Sequence, residues 1–274
     1  MNGPAARKIV LAARPRGIPR TTDFRLEEAP VAPVGEGQVS LHVQYLSLDP
    51  YMRGRMEDRK SYATPVEIGE VMRGETVATV VASQHPDFAE GDVVLAQTGW
   101  CEHAVLDGAA LRKIDPAFAP VTTRLGVLGM PGFTAYAGMR AIGKPAAGET
   151  VVVAAASGPV GSLVGQLAKI AGARAVGIAG GPEKCSYVEN ELGFDAAIDH
   201  RASGFPALLA AACPSGIDVY FENVGGPIWQ AVLPLLNGFA RVPVCGLIAQ
   251  YSGAAPGDVP TSSPRRCARS SRRV

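Results

Sequence analysis

The stretch Thr150–Gly181, TVVVAAASGPVGSLVGQLAKIAGARAVGIAGG, constrains this chain more than any other. Val151, Val152 and Val153 make a β-branched run without a charge, too short for a helix, as in a strand buried on both faces of a parallel sheet. Small residues, Ala154 to Gly161, then make a turn. Beyond it Leu163, Val164, Leu167 and Ile170 recur at helical spacing, and Gly172 stands where such a helix would stop. Ala175–Ala179 reads as a second strand. Parallel strands need a crossover, and the helix supplies it, so a βαβ unit is predicted.

The turn carries Ala156-x-Gly158-x-x-Gly161, with Ser157 and Val160 between. Glycines at such spacing let the backbone approach a pyrophosphate at a helix N-terminus, where unpaired N–H groups and the macrodipole favour an anion. Alanine in the first place departs from the full pattern. The same residues suit a crowded strand-to-helix turn without a ligand, but the flanking strand and helix favour the nucleotide. An enzyme for NAD places Asp or Glu at the tip of the second strand, on the ribose hydroxyls. Here the tip is Gly180-Gly181-Pro182, with Lys184 just beyond and Glu183 as the only acid nearby. NADPH is therefore expected over NADH, Lys184 meeting the 2′-phosphate; a solvated surface lysine is its other reading.

A chain of 274 residues suits two domains sharing a cleft, and 47% hydrophobic with 19% charged residues is ordinary soluble composition. The net charge of +1 hides an asymmetry, because the last 14 residues hold five Arg and no acid, leaving −4 on residues 1–260. Such a body offers no nucleic-acid surface. Cys101, Cys185, Cys213, Cys245 and Cys267 are odd in number and match neither a disulfide framework nor a zinc-ligand spacing, so free thiols of a reducing compartment and no metal are expected. The run Lys8–Ala13 is too short for a signal peptide and no stretch reaches membrane-spanning length; a cytoplasmic protein is expected.

Residues 1–124 read as short β-rich runs parted by Gly, Pro and Asp, the pattern of a small barrel or sandwich, with little that looks helical. His42 alternates with apolar neighbours and points outward; His85, His103 and His200 have no partner at ligand spacing. Ser47–Glu75 is a polar loop in which Tyr51, Met52 and Met56 either line an apolar pocket or simply pack the barrel. From Arg124 the character changes, through a connecting helix, to alternating helices and strands up to Tyr251, with a fifth strand at Ala240–Leu247. This implies an α/β, doubly wound parallel sheet whose ligands sit beyond the strand ends, where Ala156, Gly180, Asn223 and Gly246 fall. Residues 253–274, rich in Ser, Arg and Pro without hydrophobic periodicity, read as a disordered basic tail.

The segments DPYMRGRM, GWCEHAV, GMPGFTAY, AAASGPVGSLVGQLAK, GIAGGPEKC, FENVGG and CGLIAQY, in this order, resemble the zinc-free medium-chain dehydrogenase/reductases, specifically the prostaglandin reductase and alkenal double-bond reductase group. The likeness spans roughly residues 5–252. It implies a GroES-like barrel domain (1–124), a Rossmann domain (125–252) and NADPH-dependent reduction of the carbon–carbon double bond of α,β-unsaturated aldehydes and ketones. It places Ala156 to Gly161 on the pyrophosphate, Gly181 and Lys184 near the 2′-phosphate, Asn223 and Thr134 along the cofactor, and His200 where many relatives have an adenosine-side tyrosine. Tyr251 corresponds to a tyrosine at the ribose hydroxyl and substrate carbonyl, Tyr51 to a substrate-pocket tyrosine, and Ser252 replaces the family's Asn. The resemblance also implies a homodimer and a further C-terminal segment with a sixth strand. In its place stands the arginine-rich tail, so an apparently truncated, catalytically impaired NADP(H)-binding relative with a lost dimer edge is the alternative expectation, and quinone reduction is the alternative chemistry.

Overall fold

The computed structural model describes residues 5–59, 61 and 63–253; the tail read above as disordered, beyond Gly253 and with Cys267, lies outside the described residues. Strands β1 (Ala5–Leu11) and β2 (Phe24–Pro30) pair antiparallel. Strands β3 (Gln38–Leu46), β4 (Thr76–Ser83), β5 (Val93–Ala96), β6 (His103–Asp107) and β7 (Arg112–Ile114) form an antiparallel sheet in the order β6-β3-β4-β5-β7. Val39, Leu41, Ala78, Val80, Val94 and Ala96 make its core. His42 is exposed on β3, as the alternation requires. The Ile9 N–H donates to the Trp100 carbonyl at 2.8 Å and the Glu102 N–H to the Arg7 carbonyl at 3.0 Å, stitching β1 to this sheet.

The segment expected as loop, Ser47–Glu75, contains a short helix, α1 (Tyr51–Arg55). Its methionines are core: Met52, Met56 and Met72 are at most 4% exposed, and the latter two pack with Leu11 and Val66. Burial of Met52 and Met56 holds α1 against the barrel, and Tyr51 at its first position stays half-buried.

The second half begins with α2 (Met130–Gly138), which continues through a wider turn over Met139–Gly143 and stops at Lys144 in the left-handed conformation (φ 42°). Then follow β8 (Thr150–Ala154), α3 (Pro159–Ile170), β9 (Arg174–Ala179), α4 (Pro182–Asn190), β10 (Ala196–Asp199), α5 (Phe205–Ala212), β11 (Ile217–Phe221), α6 (Gly226–Val232), β12 (Leu236–Arg241) and α7 (Ile248–Tyr251). The strands run parallel in the order β10-β9-β8-β11-β12. Val151 and Val153 face one apolar layer with Val164, Ala168 and Phe221, while Val152 and Ala154 face the other with Leu209, Ile217 and Ile228. The unbroken valine run therefore has a structural cause, both faces being covered.

Two expectations are corrected. Ile170 is 83% exposed; as the last residue of α3 it lies off the buried stripe, which is Gly161, Val164, Gly165 and Ala168. The fifth strand is Leu236–Arg241 instead of Ala240–Leu247. Pro243 has no N–H to give a ladder, so beyond Arg241 pairing shrinks to a single bridge, Glu222 to Val244.

The small residues on α3 set its distance from the sheet. A Cβ on Gly161 would lie 2.3 Å from the Ala155 carbonyl oxygen, and one on Gly165 would lie 1.9 Å from Cζ of the buried Phe194 ring. Gly165→Ala is expected to destabilise the fold by roughly 1–3 kcal/mol through overpacking, read from urea unfolding. A second anchor is Arg241 at the end of β12. Its guanidinium donates to both Glu149 oxygens, at 2.8 and 2.5 Å, and to the carbonyls of Gly143 and Lys144 at 2.9 and 3.1 Å. These bonds hold the Glu149 carboxyl below the usual carboxylate range. A depressed carboxyl contributes stability above its unfolded pKa and loses it as pH falls through the folded one. Arg241→Ala should therefore cost about 1–3 kcal/mol at pH 7, and the gap from wild type should shrink below the ordinary Glu range, as chemical denaturation at both pH values would measure.

Candidate active site

A cleft of about 550 Å³ opens where the two halves meet. The barrel contributes Asp49, Pro50 and Tyr51; the parallel-sheet half contributes Thr134 on α2, the turn after β8, Asn223 after β11, and Gly246 and Tyr251 near α7. The cleft thus sits beyond the carboxyl ends of β8 and β11, adjacent strands whose crossovers leave in opposite directions. Among the described residues lining it, Asp49 alone carries a charge.

The turn after β8 is built by two devices. Ala155 takes a left-handed conformation (φ 54°), and Gly158 caps α3 with Pro159 at its first turn. Gly158, Val160 and Gly161 line the cleft. The N–H groups of Val160 and Gly161, at the start of the helix, have no intrahelical acceptor and so suit an anion. Ala156 is fully buried, its methyl within 2.8 Å of where a Cβ on Gly177 would sit, so it supports the turn from the core. Ser157 is half-buried beside it and does not line the cleft.

Tyr251 is held from behind. Its hydroxyl accepts the Leu247 N–H at 3.3 Å, which leaves the hydroxyl proton to be donated elsewhere. A Cβ on Gly246 would stand 2.9 Å from that oxygen, so glycine is required there for the ring to seat. Tyr51 lines the same cleft from the barrel half, with the Arg55 guanidinium 5.7 Å over its ring centroid. The Asn223 amide donates to the Ala154 carbonyl at 2.8 Å, locking the exits of β11 and β8 together. The Thr134 hydroxyl donates to the Met130 carbonyl at 2.8 Å, within its own helix.

Gly181, Lys184 and His200 lie away from this cleft, at the tips of β9 and β10. Sequence reasoning missed a cation there. The Arg201 guanidinium lies 3.2–3.3 Å from where a Cβ on Gly180 would sit, and His200 Nε2 lies 3.0 Å from it. It also missed an acid, since Glu183 is not alone: Asp199 occupies the same tip. Its Oδ1 accepts the N–H groups of Gly181 and Arg201, both at 2.9 Å, and these bonds hold its carboxyl below the usual range. The carboxylate is engaged by backbone, and Arg201, two residues on, is left exposed. Glycines at the β9 tip, the Arg201 and Lys184 cations, and the helix start at Gly158–Gly161 fit a dinucleotide bearing a 2′-phosphate.

Residues 7–114 match the family described as the N-terminal domain of oxidoreductase, and residues 159–272 the family described as zinc-binding dehydrogenase. The described residues do not supply a zinc site, for no three of His, Cys, Asp or Glu converge among them, and no step below involves a metal. The chain is 56% identical over 246 residues to the NADPH-dependent curcumin reductase of Escherichia coli K12, covering 90% of this chain and 71% of that protein. It is 41% identical to prostaglandin reductase 1 of Rattus norvegicus, covering 88% and 72%. The crystal structure of CurA in complex with NADPH from Vibrio vulnificus superposes with a TM-score of 0.89 at 52% identity, covering 93% of this chain and 75% of that one. Among the described residues no helix is long and apolar enough to cross a membrane. The chain belongs to the zinc-free medium-chain dehydrogenase/reductases, in the prostaglandin reductase and alkenal double-bond reductase group, and is an NADPH-dependent oxidoreductase.

Proposed function

We propose that this chain reduces the carbon–carbon double bond of α,β-unsaturated aldehydes and ketones, with the barrel (1–124) and dinucleotide (125–252) units closing on the substrate. The observation that carries the reading is Tyr251: a hydroxyl fixed by the Leu247 N–H, with its own proton unspent, in one cleft with the Gly158–Gly161 turn and Tyr51. The kinship to a curcumin reductase and a prostaglandin reductase supports the same chemistry.

NADPH, when bound, supplies a hydride to the β-carbon of the conjugated system. The chain's part is to hold the carbonyl. Charge moves to the carbonyl oxygen as the β-carbon is reduced, and Tyr251 donates a hydrogen bond to that enolate oxygen; the α-carbon then takes a proton from water as the carbonyl re-forms, giving the saturated aldehyde or ketone. Tyr51 and Pro50 wall the opposite side of the cleft and exclude water. Gly158, Val160 and Gly161 receive the pyrophosphate, Asn223, Gly246 and Thr134 border the remainder of the cofactor, and Gly181, Lys184, His200 and Arg201 receive the adenosine end with its 2′-phosphate.

The purified chain, given NADPH and a simple enal or enone, is expected to consume the reduced cofactor, and 2-nonenal should be turned over in preference to a quinone; a quinone preferred over every enal and enone would transfer the reading to quinone reduction. Tyr251→Phe should lower kcat roughly 100- to 1,000-fold, the loss of one donor at a developing oxyanion, with NADPH binding retained. Arg201→Ala should raise the NADPH Kd about tenfold, as for a charge-assisted bond, and leave the NADH Kd unchanged in a fluorescence titration. Lys184→Ala should act in the same direction. Equal effects on both cofactors would remove the 2′-phosphate from this corner.

A further inference from the structure

We propose that Glu222 is a positioning residue for the whole nicotinamide side of the cleft: its buried carboxylate holds the Asn223–Gly226 turn from which the Tyr251 helix hangs. The assignment of what is positioned rests on the functional reading above; the bracket itself rests on geometry.

Glu222 is 1% exposed, the most buried acid among the described residues. It follows β11 directly, at the end of the apolar run Val219-Tyr220-Phe221. An acid in that place demands partners, since a buried carboxylate without hydrogen bonds is strongly disfavoured. Its Oε1 accepts two backbone donors, the N–H of Val224 at 2.6 Å and of Gly225 at 2.8 Å. Beyond these two donors Gly225 and Gly226 both take positive φ, 75° and 57°, which turns the chain sharply away into α6. Tyr220, on the same face of the strand, is kept neutral first by burial and then by this negative charge.

The bracket propagates in two directions. The turn's outer carbonyls are acceptors for α7: Ile248 N–H donates to Asn223 at 3.3 Å and Ala249 N–H to Val224 at 3.0 Å. These are the first residues of the helix that ends in Tyr251. The main chain of Glu222 holds the other cleft loop, its N–H donating to the Pro243 carbonyl at 2.9 Å and its carbonyl accepting from Cys245 at 2.9 Å and Gly246 at 3.2 Å. Asn223, Cys245, Gly246, Ile248 and Tyr251 all line the cleft; Cys245 and Gly246 bond the Glu222 main chain directly, and Ile248 bonds the carbonyl of Asn223, the next residue in the chain. Glu222 itself does not reach the cleft, so it acts through the groups it holds.

Geometry and charge are separated by two conservative variants. Glu222→Gln keeps the oxygen at the same reach and removes the charge; Glu222→Asp keeps the charge and withdraws the oxygen by one methylene. If Glu222 is a bracket, Glu222→Asp lowers kcat for enone reduction about 10- to 100-fold, the effect of a misplacement near 1 Å, with the enone KM little changed. Glu222→Gln then restores kcat to within a few-fold of wild type. Amide hydrogen exchange reads the bracket without catalysis: Val224, Gly225, Ile248 and Ala249 should exchange faster in Glu222→Asp and stay protected in Glu222→Gln. If Glu222→Asp has wild-type kcat, or Glu222→Gln is impaired as severely as Glu222→Asp, the proposal is overturned. Wild-type protein that reduces no enone while these amides follow the expected exchange pattern overturns the functional reading and leaves the bracket standing.

Discussion

Everything in the parallel-sheet half depends on how closely α3 lies on β8. The contact is made by residues that lack side chains: Gly161 over the Ala155 carbonyl, Gly165 over the Phe194 ring, and Gly177 on β9 beneath the Ala156 methyl. Each approach is shorter than a Cβ would allow, so the layer packs at backbone distance and the first turn of α3 is brought down to the end of β8. This closeness aims the free N–H groups of Val160 and Gly161 into the cleft. It also explains why alanine is accepted at the first place of the glycine pattern: the methyl of Ala156 points into the core, toward Gly177, and the left-handed conformation falls on Ala155 instead.

The cleft is a joint between two scaffolds of opposite logic. In the barrel half, buried methionines fix α1, which presents Tyr51 at its first residue. In the other half, strand exits present short loops tied to one another by backbone bonds. The Asn223 amide ties β11 to β8, and the Glu222 main chain ties β11 to the segment after β12. Acids recur in these ties. Glu222 holds the N–H groups of Val224 and Gly225, Asp199 those of Gly181 and Arg201, and Glu149 the Arg241 guanidinium. In each case a carboxylate is turned onto donors of the fold. At the β9 tip the consequence is electrostatic, since the charge of Asp199 is engaged inward while Arg201 and Lys184 stay exposed.

Local signals carried most of the architecture. The valine run, the helical spacing up to Leu167, the stop at Gly172 and the outward turn of His42 between Leu41 and Val43 each report a periodicity that neighbouring atoms enforce, and each is where the sequence puts it. Misreadings arose where a distant partner decides. Ile170 fits the spacing but falls past the buried stripe, and the fifth strand follows its partner Ile217–Val219 and the imino nitrogen of Pro243 instead of the apolar run that begins at Ala240.

The site divides along the same line. Residue types at short spacing, Gly158-x-x-Gly161 and Gly180-Gly181, mark turns suited to a phosphate because the requirement is local, a backbone without side chains next to a helix start. The sequence by itself also determined that Tyr51, Asn223, Gly246 and Tyr251 belong to recurring motifs. Only the tertiary structure brought them to one cleft, since Tyr51 and Tyr251 come from different halves of the chain. It alone placed Arg201 over Gly180, turned Asp199 inward, and made Glu222 a bracket, because a buried carboxylate takes its meaning from the donors that surround it, and those are chosen by the fold.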